Sequence, residues 1–67
     1  MNELIIKDNK GKDYIVDNPN RFFQHLLKFH TDNGKANNSL HEENNHYFTI
    51  TTKLLDKTKN FIENMKF

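Results

Sequence analysis

The chain has 67 residues, ten basic and nine acidic, for a formal net charge of +1, and it contains no cysteine. That length leaves room for one core and no second domain, and the charge balance gives no strong preference for nucleic acid or acidic surfaces. Disulfides and thiolate metal sites are excluded. The mean hydropathy of −0.94 raises the question of disorder, but Leu, Ile, Val and Phe supply 18 of the 67 residues, above the roughly 20% below which chains tend not to fold.

Residues 2–17 read as a hairpin. Leu4, Ile5 and Ile6 face Tyr14, Ile15 and Val16 across Asp8-Asn9-Lys10-Gly11, where Gly can take the left-handed position of a bulged type I turn. Pairing Asp8 with Lys12 sets Lys7 against Asp13, Ile6 against Tyr14, Ile5 against Ile15 and Leu4 against Val16. Charges then meet opposite charges, and apolar residues meet apolar ones.

Asn18-Pro19 is a helix start, because Asn caps free amides and Pro needs no amide at the first helical position. Phe22, Phe23, Leu26, Leu27, Phe29 and His30 recur on one face, which predicts an amphipathic helix over 19–30. Asn33-Gly34 is expected to end it, since both residues tolerate positive φ.

Residues 32–45 are polar and read as a loop. Ser39-Leu40-His41-Glu42 has capping-box spacing, which predicts one helical turn over 40–44. The alternation in Tyr47-Phe48-Thr49-Ile50-Thr51 predicts a strand over 46–51 with Phe48 and Ile50 inward and Tyr47 outward. Thr51 or Thr52 then caps a helix over 53–66, whose stripe is Leu54, Leu55, Thr58, Phe61, Ile62 and Met65.

Together these elements predict a single α+β domain: a small two-layer ββαβα fold, with a three-stranded sheet and two amphipathic helices on one face. Ile5 and Ile15 would point to the uncovered face. No apolar run exceeds three residues, so neither a membrane span nor a secretory leader is expected and the chain reads as cytoplasmic. The eleven Asn residues, with abundant Lys, Ile and Phe, match AT-rich coding. They suggest a low-GC bacterium or one of its phages or mobile elements.

The search for chemistry gives little. His41-Glu42-Glu43-Asn44-Asn45-His46 is the one stretch that resembles a metal site. Zincin chemistry needs two His at i, i+4, whereas the i, i+5 spacing of His41 and His46 separates the rings by about 140° on a straight helix. His25 and His30 could join such a site. His30, however, falls on the apolar arc at the helix end, where it reads as a structural residue whose protonated form the helix dipole favours, and His25 reads as exposed. With Gly11 and Gly34 the only glycines, no phosphate loop is present, and no hydroxyl has a neighbouring His–acid arrangement in sequence that marks a nucleophile. No enzymatic activity, metal or cofactor is expected.

Two kinds of surface remain. Ile5, Ile15, Tyr47 and Thr49, with the terminal Phe67, are the candidate partner-binding residues, because contiguous exposed apolar surface is typical of interfaces. The leading expectation is a non-enzymatic protein-interaction module, able to self-associate. It would act as an accessory or inhibitor protein that occludes a host or defence protein. The alternative is a weak nucleic-acid binder or transcriptional regulator that grips phosphates through Lys7, Lys10, Lys12, Lys53 and Lys57, with Tyr14 stacking a base.

Overall fold

The computed structural model describes residues 3–65. Eight elements follow one another: β1 (Leu4–Lys7), β2 (Asp13–Val16), α1 (Pro19–Phe29), β3 (Thr31–Asp32), β4 (Lys35–Ala36), β5 (Leu40–Glu43), β6 (His46–Thr49) and α2 (Thr52–Asn64). The strands form three antiparallel pairs, β1 with β2, β3 with β4 and β5 with β6, in place of the expected three-stranded sheet.

The first hairpin has the expected register, with Leu4 against Val16, Ile5 against Ile15, Ile6 against Tyr14 and Lys7 against Asp13. Asp8 N–H donates to Lys12 O at 2.8 Å, and Gly11 takes φ 82°. The Asp8 carboxylate closes the turn from inside by accepting the backbone N–H groups of Lys10 and Lys12, each at 2.9 Å. Asp in a turn does this because its short side chain reaches amides two to four residues on.

Asn18 caps α1 by accepting Arg21 N–H at 3.2 Å, with Pro19 at the first helical position. The helix ends at Phe29, and His30 follows as its cap with φ −129° and ψ 19°. Asn33-Gly34 therefore does not terminate the helix. Its two residues, with φ 53° and 80°, form the two-residue turn of the β3–β4 hairpin, the geometry that the twist of flanking strands favours.

Residues 32–45 are accordingly not a loop. Asn44 and Asn45, at φ 50° and 69°, make a second turn of the same kind, which joins β5 to β6 with His41 against Phe48 and Glu43 against His46. The helical turn expected over 40–44 is absent, because residues 40–43 pair with 46–49 and Ser39 uses its hydroxyl elsewhere. Pairing continues beyond the strands through Ile50 N–H to Ser39 O at 2.9 Å and Asn38 N–H to Ile50 O at 3.0 Å. The strand expected over 46–51 ends at Thr49.

Thr51 caps α2 by accepting Leu54 N–H at 3.2 Å, and the helix runs Thr52–Asn64 against an expected 53–66. Buried Thr58 satisfies its hydroxyl by donating to Leu54 O at 3.0 Å, as a buried hydroxyl requires. Leu4, Ile6, Tyr14, Val16, Phe22, Leu26, Phe48, Ile50 and Leu55 form the core, with Phe23, Leu27 and Phe61 packed against it. Phe29, expected on the apolar arc, is 57% exposed. Among the described residues no helix is long and apolar enough to cross a membrane.

Asn9, at the tip of the first hairpin, clasps the open edge of β6. Its backbone N–H donates to Tyr47 O at 2.8 Å, its side-chain oxygen accepts Thr49 N–H at 3.0 Å, and its Nδ2 donates to the Thr49 hydroxyl at 3.1 Å. One Asn thus satisfies edge groups that a third strand would otherwise bond.

Candidate functional site

Three of the four histidines converge where the end of α1 meets β5. Ring centroids lie 4.8 Å apart for His25 and His41, 5.1 Å for His30 and His41, and 5.6 Å for His25 and His30. One nitrogen from each ring lies within 4.8 Å of the other two. His30 and His41 are buried, whereas His25 is exposed. By sequence, His25 and His30 could join a site at His41, but His30 reads as a structural residue on the apolar arc and His25 as exposed; on a continuous helix their i, i+5 spacing would also hold the two rings far apart. His30 has left the helix, and its cap conformation redirects the ring.

The hydrogen bonds around the cluster determine where its protons sit. Asn37 Oδ1 accepts Ser39 N–H at 3.0 Å, which orients the amide. The same oxygen accepts the Ser39 hydroxyl at 2.5 Å. Having given its one proton to Asn37, Ser39 Oγ accepts from His30 Nδ1 at 2.6 Å. His30 Nδ1 is therefore protonated and its lone pair is on Nε2.

His41 Nε2 lies 3.1 Å from Glu43 Oε1. A carboxylate only accepts, so His41 donates there from Nε2, and Nδ1 is its nitrogen left for another partner. The other Glu43 oxygen accepts the Tyr14 hydroxyl at 2.6 Å, and Tyr14 in turn accepts Asn44 Nδ2 at 2.8 Å. Burial, reinforced by Glu43, pushes the Tyr14 phenol up to about 12. Desolvation at the ring stack, and then the neighbouring His41, lowers the pKa of both His25 and His30. Burial thus overrides the helix-end effect expected to favour protonated His30.

His46 does not join the cluster. Its Nδ1 lies 2.7 Å from Asp8 Oδ2, and its ring packs 4.8 Å from Tyr14 and 6.2 Å from Phe48. The Lys12 amide is the largest influence holding the Asp8 carboxyl below its ordinary range; burial opposes it, and His46 and the Lys10 amide assist. His41 and His46, the weak metal candidates of the His41–His46 stretch, thus belong to two separate arrangements, one on each side of Phe48.

Ile5 and Ile15 face each other on the outward side of the first hairpin, 41% and 50% exposed. Tyr47, 49% exposed, stands outward on β6 opposite Glu42, and exposed Thr49 lies opposite Leu40 at 59%. The two outward faces belong to separate sheets, and Phe67 lies outside the described residues. Lys10 and Lys12 are exposed at the hairpin tip, and Lys7 is paired with Asp13 at 2.9 Å. Lys53 and Lys57 share with Lys7 the rim of a groove floored by Ile6, Phe48 and Leu54. Tyr14 is 7% exposed with its hydroxyl committed to Glu43, so it offers no face for stacking a base.

No family model, curated protein or solved structure matches this chain.

Proposed function

We propose that the chain is a non-enzymatic protein-interaction module that works through the outward faces of its first and last hairpins. The observation that carries this reading is the set of large apolar side chains left outward in so polar a chain: Ile5 and Ile15 on one hairpin, Leu40 and Tyr47 on the other. A short strand needs only its inward residues for the core, so outward apolar residues make no demand on the fold and suit a partner. Blocking a partner's working surface requires only shape and complementary polarity, which fits an accessory or inhibitor role.

The test uses the full chain as bait in extracts of its native cells, beside Ile15→Asp and Tyr47→Ala variants. Both variants should keep a native circular dichroism spectrum, because both side chains are about half exposed, while losing at least about tenfold in partner recovery, the change that roughly 1.4 kcal/mol at an interface anchor produces. Recovery of the same proteins at the same yield by all three baits would remove this reading.

A second reading, phosphate binding, draws on the shared rim of Lys7, Lys53 and Lys57. Asp8, Asp13 and Asp17 are interleaved with the tip lysines, which weakens the local field. Binding through phosphates must fall steeply as salt rises, and an apolar contact need not. A gel-shift series should show a salt-sensitive complex that Lys53→Glu with Lys57→Glu abolishes. An absent shift at low salt ends this alternative.

A further inference from the structure

We infer that His25, His30 and His41 form a binding site for one divalent transition-metal ion of the zinc type, with a coordination position open to solvent. This site is independent of the outward hairpin faces and stands or falls separately from the interaction reading. Its starting point is the convergence of one nitrogen from each of three rings within 4.8 Å. Zinc–imidazole bonds of about 2.0–2.1 Å in tetrahedral array require nitrogens roughly 3.4 Å apart. The contraction needed is on the order of an ångström, and it falls most easily on His25, the exposed member of the three.

The surroundings have the form that metal-binding imidazoles use. A ligating His normally donates its other N–H to a carboxylate or another acceptor, which fixes the ring and the tautomer. His41 donates Nε2–H to Glu43, and His30 donates Nδ1–H to Ser39, itself held by Asn37. Each buried ring therefore has one nitrogen committed and the other left for another partner. Glu43 is held in turn by the Tyr14 hydroxyl at 2.6 Å. The three rings contact one another, which gathers their donor nitrogens on one spot.

The donor set selects the ion. Three imidazoles with neither thiolate nor carboxylate in the trio favour zinc and its transition-series neighbours over calcium or magnesium, which prefer oxygen. Three protein ligands leave a fourth position. His25 and His41 line a groove shared with Arg21, Glu43 and Asn44, so the open position has a route to solvent. An ion there would tie the end of α1 to β5, the kind of cross-link that small domains without disulfides commonly use.

The test is titration of the full, chelator-treated chain with zinc chloride by calorimetry, with nitrogen-15 NMR of the imidazoles. One zinc per chain is expected, with shifts at His25, His30 and His41 but not at His46, and with a rise in Tm of roughly 5 °C or more at saturating zinc. His25→Ala, at an exposed position, should keep the fold and weaken zinc binding by more than about 100-fold, beyond the 10–100-fold typical of losing a supporting partner. Calcium should not bind. Lack of stoichiometric zinc, binding indifferent to His25→Ala, or zinc-induced shifts centred on His46 would each overturn the site.

Discussion

Replacing Phe48 with Ala is expected to remove about 3–5 kcal/mol of stability, from about a third to all of the roughly 3–10 kcal/mol that a domain of this length commands. Phe48 is 1% exposed and is the ring on which the separate pieces of structure meet. It stands 5.5 Å from Tyr14 of β2, 6.4 Å from Phe22 of α1, and 6.3 Å and 6.2 Å from His41 and His46 on either side of its own hairpin. Among the described residues the strands divide into three pairs, and no common sheet joins the first hairpin to the last. Side-chain packing, the Asn9 clasp and the Tyr14–Glu43, Asn44–Tyr14 and His46–Asp8 hydrogen bonds do so. Urea unfolding followed by circular dichroism at about 25 °C should show the variant about 3–5 kcal/mol less stable than the parent, or without a folded baseline. A cooperative transition within about 1 kcal/mol of the parent would show that the hairpins are held together some other way.

Stability should also fall away at both ends of the pH range, through two different residues. Asp8 has a folded pKa below its ordinary 3.8, so the folded state binds its proton less readily than the unfolded state. Its contribution is present above about pH 4 and is lost as pH falls through the folded pKa. Tyr14 is displaced in the opposite sense, from 10.0 to about 12. Its contribution is complete below about pH 10 and is lost as pH rises toward about 12. Asp8→Asn keeps a side chain able to accept in the turn but removes the charge, and should flatten the acid limb. Tyr14→Phe should flatten the alkaline limb and cost about 1–3 kcal/mol at neutral pH, the worth of a hydrogen bond to a carboxylate. Thermal melts across the pH range would read both. Limbs unchanged in the variants would mean that other groups govern them.

Legibility in the sequence followed the strength of local signals. The first hairpin was readable down to its register because the turn residues, the Lys7–Asp13 charge pair and three apolar pairs all agree. The helix caps were readable for a similar reason, since Asn18-Pro19 and Thr51 act on amides within three residues, although the sequence left Thr51 and Thr52 as alternatives for the second. Asn33-Gly34 was misread because a helix end and a two-residue hairpin turn make the same demand for positive φ. The β5–β6 hairpin was hidden more deeply. Leu40-His41-Glu42-Glu43 carries no apolar alternation, its turn is Asn-Asn without Gly, and Ser39 with Glu42 imitates a capping box.

The sites divide in the same way. Alternation alone puts Ile5 and Ile15 outward, and the same register puts Tyr14 inward beside Leu4 and Ile6. The stacking role considered for Tyr14 was therefore at odds with the hairpin that carries it. The histidine trio depends on the non-helical backbone at His30 and on a strand at His41, neither of which sequence spacing reveals. The groove that gathers Lys7, Lys53 and Lys57 likewise exists only once α2 packs near β1.

The most direct test of the proposed interaction surface is an NMR footprint of the isotope-labelled full chain in an extract of its native cells. The account predicts signal loss concentrated at Ile5, Ile15, Leu40 and Tyr47, with Lys53 and Lys57 little affected and the loss persisting at high salt. Loss centred on the lysine rim and relieved by salt, or a spectrum identical to that in buffer, would contradict it.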